Sequence, residues 1–395
     1  MPQIFKELKY VVGTPDVVES MKKLPTMVPF SDKALSFLNA LSLRLLKNGK
    51  AYSDVVTFAF WCRKAALLNE KAKYDSKKLR LGRGIAFHST PSNVPVNCAF
   101  SFAAGLLAGN PNIVRLPAKS YDQVDLICSA VRDVLDEQPE MRSYIVFVKF
   151  PPVREIIDFF SGLCATRIIW GGDMTIADIR RSPLPPRAKE ITFADRHSIL
   201  VINAEAVLSA QNIDRVAQDF YNDTFFSDQN ACTSPRIIVW TGTNKQKAKE
   251  LFWKAVHKHV INKYTLAPVQ AVGKLAAFYR AAVQKKVRLI PSSDNFIYRL
   301  NVDQLDDDLA ELKYNSGFFF EYDAENLSEI LPVCSYKCQT MTYFGLDQQL
   351  ISDFIRKDAP PGLDRAVPMG RSMDFTLVWD GYDLITEMSR EININ

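Results

Sequence analysis

No stretch of the 395-residue sequence is both long and apolar enough to cross a membrane as a helix. The longest candidate, residues 94–109, is interrupted by Pro95, Asn97 and Ser101 and falls short of the roughly 18 residues such a span needs. The opening ten residues carry Glu7 and two lysines with no apolar run behind them, unlike a secretory leader. Basic residues are not concentrated either. Lys and Arg number 49 against 44 Asp and Glu, a net charge of +5, with the two signs interleaved along the chain. That balance argues against a nucleic-acid partner, which needs a basic face or run. Seven cysteines at irregular spacing, an odd number in a large chain, argue against a disulfide framework and for reduced thiols in the cytoplasm. Neither Cys334-x-x-x-Cys338 nor the pair His257 and His259 has partners at zinc-ligand spacing, so no metal is expected. The G-x-G-x-x-G fingerprint of a standard dinucleotide turn is also missing.

What is present is a chain of two-domain length, 47% hydrophobic and 24% charged, with 25 Phe for cores. The first 80 residues read as helical. Ser31-Asp32 can cap a helix in which Ala34, Leu35, Phe37, Leu38, Leu41 and Leu45 recur at helical spacing, and a second helix follows Ser53 towards Ala72. From Arg83 short apolar strands alternate with helices at a period near 30 residues, the pattern of βαβ units and a covered parallel sheet. The expected organisation is a helical N-terminal segment over 1–80, a nucleotide-binding α/β domain over 81–203 and a second α/β domain over 204–372. A C-terminal strand and helix over 373–395 return to the core or to an oligomer interface.

Three short segments carry candidate chemistry. Cys232 lies in Asp228-Gln229-Asn230-Ala231-Cys232-Thr233-Ser234-Pro235, a polar loop ahead of a strand. It reads either as an accessible nucleophile or as a small core residue. Asn93, in Ser92-Asn93-Val94-Pro95, reads as an oxyanion donor or as a helix cap or Asx-turn. Gly171-Gly172 follows a buried strand and precedes a helix, which suits a close backbone approach to phosphate or a plain tight turn.

Taken in order, these segments resemble the LuxC-type acyl-CoA reductases of the aldehyde dehydrogenase superfamily. The resemblance is carried by Ser-Asn-Val-Pro at 92–95, Asn112-Ile113-Val114-Arg115, Ile168-Ile169-Trp170-Gly171-Gly172-Asp173 and the Cys232 loop. It continues through Asp364–Gly370 and Trp379-Asp380-Gly381-Tyr382-Asp383. It implies an aldehyde dehydrogenase-like fold of two Rossmann-like α/β domains with a helical N-terminal segment. It also implies an acyl-CoA reductase that makes an aldehyde through an acyl-enzyme on Cys232. Asn93 and the Cys232 backbone N–H would then form the oxyanion hole. Ser92, Arg115, Lys119, Gly171 and Gly172 would meet the cofactor, which the Arg115 fork makes NADPH, with NADH as the alternative. An acyl-CoA or acyl-protein substrate, an acyl-protein synthetase or acyltransferase partner and a homo-oligomer follow from the same resemblance. One departure gives direction. The glutamate base of oxidising relatives is replaced by Thr192, with Glu190 one strand period away as a candidate substitute. The competing readings are an NAD(P)-dependent aldehyde dehydrogenase working towards the acid and a catalytically silent binding subunit.

Overall fold

The computed structural model describes residues 7–75 and 77–394, and every count or absence stated below is of these. Strand β1 (Lys9–Val12) is followed by a helical run: α1 (Pro15–Met21), α2 (Asp32–Asn48), α3 (Ser53–Trp61) and α4 (Lys64–Lys71). Ser31 caps α2 by accepting from the Ala34 amide. The apolar stripe from Ala34 to Leu45 is buried, and α2 packs against α3, α5 and α6, whose ranges follow. The helix expected to run from Ser53 to Ala72 breaks at Cys62-Arg63.

The alternating part contains β2 (Arg80–Gly82), β3 (Ala86–Ser89), α5 (Asn97–Leu107), β4 (Asn112–Arg115), α6 (Asp122–Glu137) and β5 (Ile145–Lys149). It continues with α7 (Arg154–Leu163), β6 (Thr166–Trp170), α8 (Asp173–Arg180) and β7 (Lys189–Phe193). These strands form a parallel sheet in the order β5-β4-β3-β6-β7, with β1 added antiparallel beside β5. Burial on both faces explains why β4, β5 and β6 read as apolar runs instead of alternating. From β3 the chain builds outward through β4 and β5, then returns to the other side of β3 with β6. The strand order therefore reverses between β3 and β6.

The second sheet is built from β8 (His197–Asn203), α9 (Ala204–Leu208), α10 (Ile213–Asp223), β9 (Pro235–Thr241), α11 (Lys245–Lys263) and α12 (Pro268–Gln284). It is completed by β10 (Val287–Ile290), β11 (Tyr298–Val302), β12 (Phe318–Asp323), β13 (Cys338–Phe344), α13 (Gln348–Asp358) and β14 (Arg365–Pro368). Its order is β10-β11-β12-β9-β8-β13-β14, parallel except for β10. Phe225 and Phe318–Phe320 belong to its core, whereas Phe226 is exposed. The tail forms a hairpin of β15 (Val378–Trp379) and β16 (Tyr382–Asp383), then α14 (Leu384–Met388) and β17 (Ser389–Glu391), which pairs antiparallel with β2. Asp380 and Gly381 both have positive φ, the tight turn that an Asp-Gly pair favours.

The chain divides into two compact units, one running to Ala194 and taking in the tail from Phe375, the other Asp195–Asp374. The expected boundary at 203 thus moves back to 194. The segment 199–202, expected to finish the first domain, lies within β8, which is hydrogen-bonded between β9 and β13 inside the second sheet. Where one strand is expected within 373–395 the tail has three, the first of them Val378–Trp379. The last helix stops at Met388 because the chain then extends to pair with β2.

Candidate active site

Within the first unit, the loop after β3 and the turn after β6 both leave the C-terminal edge of the sheet, on either side of the point where strand order reverses. In open parallel sheets that crevice is where nucleotides bind. Gly172 is the N-cap residue of α8, so the first amides of that helix face the same edge. A Cβ built on Gly172 would meet no protein atom within 4 Å, while one on Gly171 would touch the Thr175 methyl at 3.1 Å. Packing inside the protein therefore does not require glycine at 172, and the free space lies at a helix N-terminus. Arg115 ends β4 half-buried, its guanidinium 4.7 Å above the Phe150 ring and donating to the Phe150 carbonyl at 3.4 Å. It has no carboxylate partner among the described residues. A half-buried guanidinium without a counter-charge and an open glycine at the switch point fit the phosphates of a dinucleotide. Lys119 is exposed, 5.1 Å above the Tyr121 ring. Ser92 is exposed and its carbonyl accepts from the Tyr121 hydroxyl.

Asn93 is exposed on the loop after β3. It caps nothing, because α5 begins at Asn97 with Val96 in the N-cap position, and its side chain makes no Asx-turn bond among the described residues. Thr192 lies on β7. Glu190, two residues earlier, accepts from Arg167 at 2.9 and 2.5 Å on one carboxylate oxygen and from Arg180 at 2.7 Å on the other. Both oxygens are engaged by guanidinium groups, so neither is left over to orient a water.

In the second unit Cys232 is the partly exposed member of the seven cysteines, the other six being buried. Burial pushes the Cys128 and Cys164 thiols up to about 12, and those of Cys62 and Cys98 upward as well. They are therefore inert at neutral pH. The Cys232 loop runs between a short turn of 3-10 helix at Phe225–Ser227 and the start of β9. Its path requires two successive left-handed residues, Asp228 (φ 49) and Gln229 (φ 53), a strain that surrounding contacts must hold. Gln229 is fully buried. Its oxygen accepts from the Gly317 amide at 2.8 Å and the Phe318 amide at 3.3 Å, and its NH2 donates to the Pro235 and Phe318 carbonyls at 3.4 and 3.3 Å. Gly317 has φ +84, and a Cβ there would lie 2.4 Å from the Phe296 carbonyl oxygen, so glycine is needed at that approach. Asp228 accepts from the Tyr264 hydroxyl and from Gln270 at 3.1 Å. Ser227 and Ser234 face one another across the loop at 3.1 Å. The Asn315 amide donates to Asn230 at 2.8 Å.

The cysteine itself is held from below. Ser198 on β8 donates to the Cys232 carbonyl at 2.7 Å, and the Gln339 amide on β13 reaches the Cys232 sulfur at 3.4 Å. Gln339 and Arg236 did not stand out in the sequence. The one signal for β13 was a β-branched and aromatic run, Thr340-Met341-Thr342-Tyr343-Phe344, after two cysteines.

Residues 19–391 match the profile of the family described as Acyl-CoA reductase (LuxC). A long-chain acyl-protein thioester reductase of Aliivibrio fischeri is 25% identical over 166 residues, 41% of this chain and 33% of that protein. The protein of the same name from Vibrio harveyi is 26% identical over 170 residues, 42% of this chain and 34% of its own. The chain's match thus spans about a third of the length of these relatives. Among solved structures, aldehyde dehydrogenase 21 from Physcomitrella patens in complex with succinate matches with a TM-score of 0.69 at 13% identity, over 95% of this chain and 89% of that one. The fold is aldehyde dehydrogenase-like. No described helix is long and apolar enough to cross a membrane.

Proposed function

Since the chain belongs to the LuxC family of acyl-CoA reductases, we propose that it reduces an activated acyl thioester to an aldehyde, with Cys232 as the covalent nucleophile and NADPH as the reductant. The observation that carries the reading is Cys232 itself. Six cysteines are buried, and the seventh lies partly exposed on a strained polar loop whose backbone and sulfur are both held by side chains.

The Cys232 thiolate attacks the thioester carbonyl carbon. A carbon–sulfur bond to Cys232 forms, the bond to the departing thiol breaks, and that thiolate takes up a proton. Negative charge collects on the carbonyl oxygen during the attack. Asn93 and the Cys232 backbone N–H are the donors proposed for it, each such donor being worth about 10²–10³ in rate. When bound, a reduced nicotinamide would supply the hydride that takes the acyl group to the aldehyde level. The bond between Cys232 and the former acyl carbon then breaks, and the thiolate is restored. Arg115, with Ser92, Lys119, Gly171 and Gly172, is proposed to hold the cofactor, and the planar Arg115 fork favours a 2′-phosphate, hence NADPH over NADH. Glu190, fixed by Arg167 and Arg180, does not replace the base missing at Thr192, so water is a poor competitor for the acyl-enzyme.

The two relatives are named for long-chain acyl-protein thioesters, so a long acyl chain on coenzyme A or on a carrier protein is the substrate class to assay first. A partner that loads the acyl group, a homo-oligomeric assembly and a cytoplasmic location complete the proposal. The test is NADPH oxidation against acyl thioesters of graded length. Cys232→Ser is expected to abolish it while leaving NADPH binding, read by cofactor fluorescence, unchanged. Full turnover by that variant rejects the nucleophile.

A further inference from the structure

The second sheet carries two irregularities, and both lie beside the same residue. Between β8 and β9, Ser198 pairs with Pro235 and Ile199 with Ile237, so Arg236 is an extra residue with no partner on β8. Between β8 and β13, His197 pairs with Cys338 and Ser198 with Thr340, so Gln339 is extra on the other side. Bulges are rare between parallel strands and are over-represented next to active sites, where they redirect a side chain. Here Ser198, between the two, donates to the Cys232 carbonyl, and each extra residue serves the same loop.

Gln339 is nearly fully buried, at 2% exposure, and its amide nitrogen lies 3.4 Å from the Cys232 sulfur. The Thr340 hydroxyl donates to the Gln339 oxygen at 3.4 Å, which orients the NH2 end towards the sulfur. Arg236 is 8% exposed. Its guanidinium donates to the Tyr314 carbonyl at 2.9 Å, the Asn315 side-chain oxygen at 2.8 Å and the Gln229 carbonyl. All three acceptors are neutral, and no described carboxylate lies within ion-pair distance. A buried charge without a counter-charge is costly, and an anion nearby relieves it.

We infer that Gln339 is a positioning residue for the nucleophile, its amide donating to the Cys232 sulfur and holding it as a thiolate, with the Arg236 guanidinium, bonded to the same loop at the Gln229 carbonyl, as the positive charge beside it. This rests on the nucleophile proposed above. The elements around the loop bring few competing charges. Asp228 is engaged by Tyr264 and Gln270, and Asp195 by Lys313 at 3.3 Å. Asp223 accepts from the Gly370 and Ser372 amides, and Arg365 donates to the Ser372 carbonyl. His197 on β8 faces the Val333 carbonyl at 3.0 Å. Burial pushes Arg236 down to about 10, against the pull of Asp195, Cys232 and Asp228, so it stays charged at neutral pH.

The test is the pH profile of Cys232 alkylation by iodoacetamide in the full chain, with the labelled cysteine identified by peptide mass. A hydrogen bond to a charged group corresponds to a shift of about one to two pH units. Gln339→Leu is expected to move the midpoint of the profile upward by about that amount, leaving the high-pH plateau in place. Gln339→Glu, of the same shape but with no donor, moves it at least as far. Arg236→Met raises it too, and Arg236→Lys restores it. A purely structural role would change the plateau and leave the midpoint. Should these variants fail to fold, the wild-type chain decides. Its native midpoint is expected to lie below that of Cys232 in the urea-unfolded chain, and a native midpoint at or above that value overturns the inference. An unmoved midpoint in the Gln339 variants, with the label on Cys232, rejects the inference alone. Label on another cysteine, with turnover retained by Cys232→Ser, rejects the nucleophile and the inference together.

Discussion

The residues proposed for the cofactor lie at or after the ends of strands of the first sheet, whereas Cys232 precedes a strand of the second. The two ends of a parallel sheet offer different physics. After a strand, the chain turns into a helix N-terminus, whose unsatisfied amides bind anions without help from side chains. The loops there are correspondingly bare: Ser92, Asn93 and Gly172 are exposed, and Gly172 has open space around its α-carbon. Before a strand no such helix end is available. The Cys232 loop is instead fixed by buried polar side chains, Gln229 within it, Arg236 and Gln339 in the flanking bulges and Ser198 between them. The first loops are held by few side chains and the Cys232 loop by several buried ones, so mutations should separate activity from stability in the first unit and join them in the second.

The largest effect expected on this contrast is Asn93→Ala. With Asn93 as the proposed oxyanion donor, its loss is expected to lower the rate of the proposed acyl transfer about 10²–10³-fold. The side chain is exposed and makes no hydrogen bond to a described residue, so stability in urea stays within about 0.5 kcal/mol of wild type. A comparable loss of stability would end the idea that this loop is bare. Gln229→Leu is the opposite case. It strands the Gly317 and Phe318 amides and the Pro235 and Phe318 carbonyls in a buried site, costing about 3 kcal/mol. A urea midpoint close to wild type would remove the reason for calling the Cys232 loop pinned.

A buried carboxylate adds a pH-dependent term to the same unit. Asp223 on α10 is fully buried and accepts from the Gly370 amide at 2.6 Å and the Ser372 amide at 3.0 Å. Burial nevertheless pushes its carboxyl up from 3.8 to about 6. A group whose native value lies above its unfolded one binds its proton more tightly in the native chain. Its contribution is therefore complete below pH 3.8 and is lost as pH rises through about 6. The full change is about 3 kcal/mol at most. Asp223→Asn should abolish this part of the pH dependence in urea unfolding measured across that window, while the charges of the first unit leave their part in place. An unchanged slope would show that Asp223 keeps its ordinary acidity.

How much of this was legible in the sequence follows the same division. Short strands, helix-spaced apolar residues and Gly-Gly after a buried strand are local signals, and the alternation they predict from Arg83 is the one seen in β3 to β7. The switch point between β3 and β6 follows from strand order, which no local pattern states. The Cys232 loop stands out as a polar segment, but its two readings are separated only by the resemblance, since its chemistry depends on residues far away in sequence. Gln339 lies 107 residues from Cys232 and meets it because one extra residue in β13 turns the side chain aside. A bulge between parallel strands has no composition of its own, and β13 itself passed unnoticed. The boundary at 194 was missed for a related reason. β8 reads as one more apolar strand, and only its pairing with β9 and β13 assigns it to the second sheet.

The smallest and most selective prediction concerns Gly172. Its backbone, φ −67 and ψ 163, is open to any residue, and the added methyl of Gly172→Ala would touch no protein atom. Alanine is a weaker N-cap than glycine by about 0.5–1 kcal/mol, so the folded chain should lose no more than that. A dinucleotide whose diphosphate lies against this helix end would meet the methyl directly. Its Kd should rise about tenfold, equally for NADPH and NADH, because the diphosphate is common to both. Fluorescence titration of the two cofactors reads both numbers. A rise for NADPH alone would move the contact from the diphosphate to the ribose phosphate, the position argued for Arg115. Unchanged affinity for both would mean that the open space at Gly172 is not where the diphosphate lies, and the bare edge of the first sheet would lose its assigned ligand.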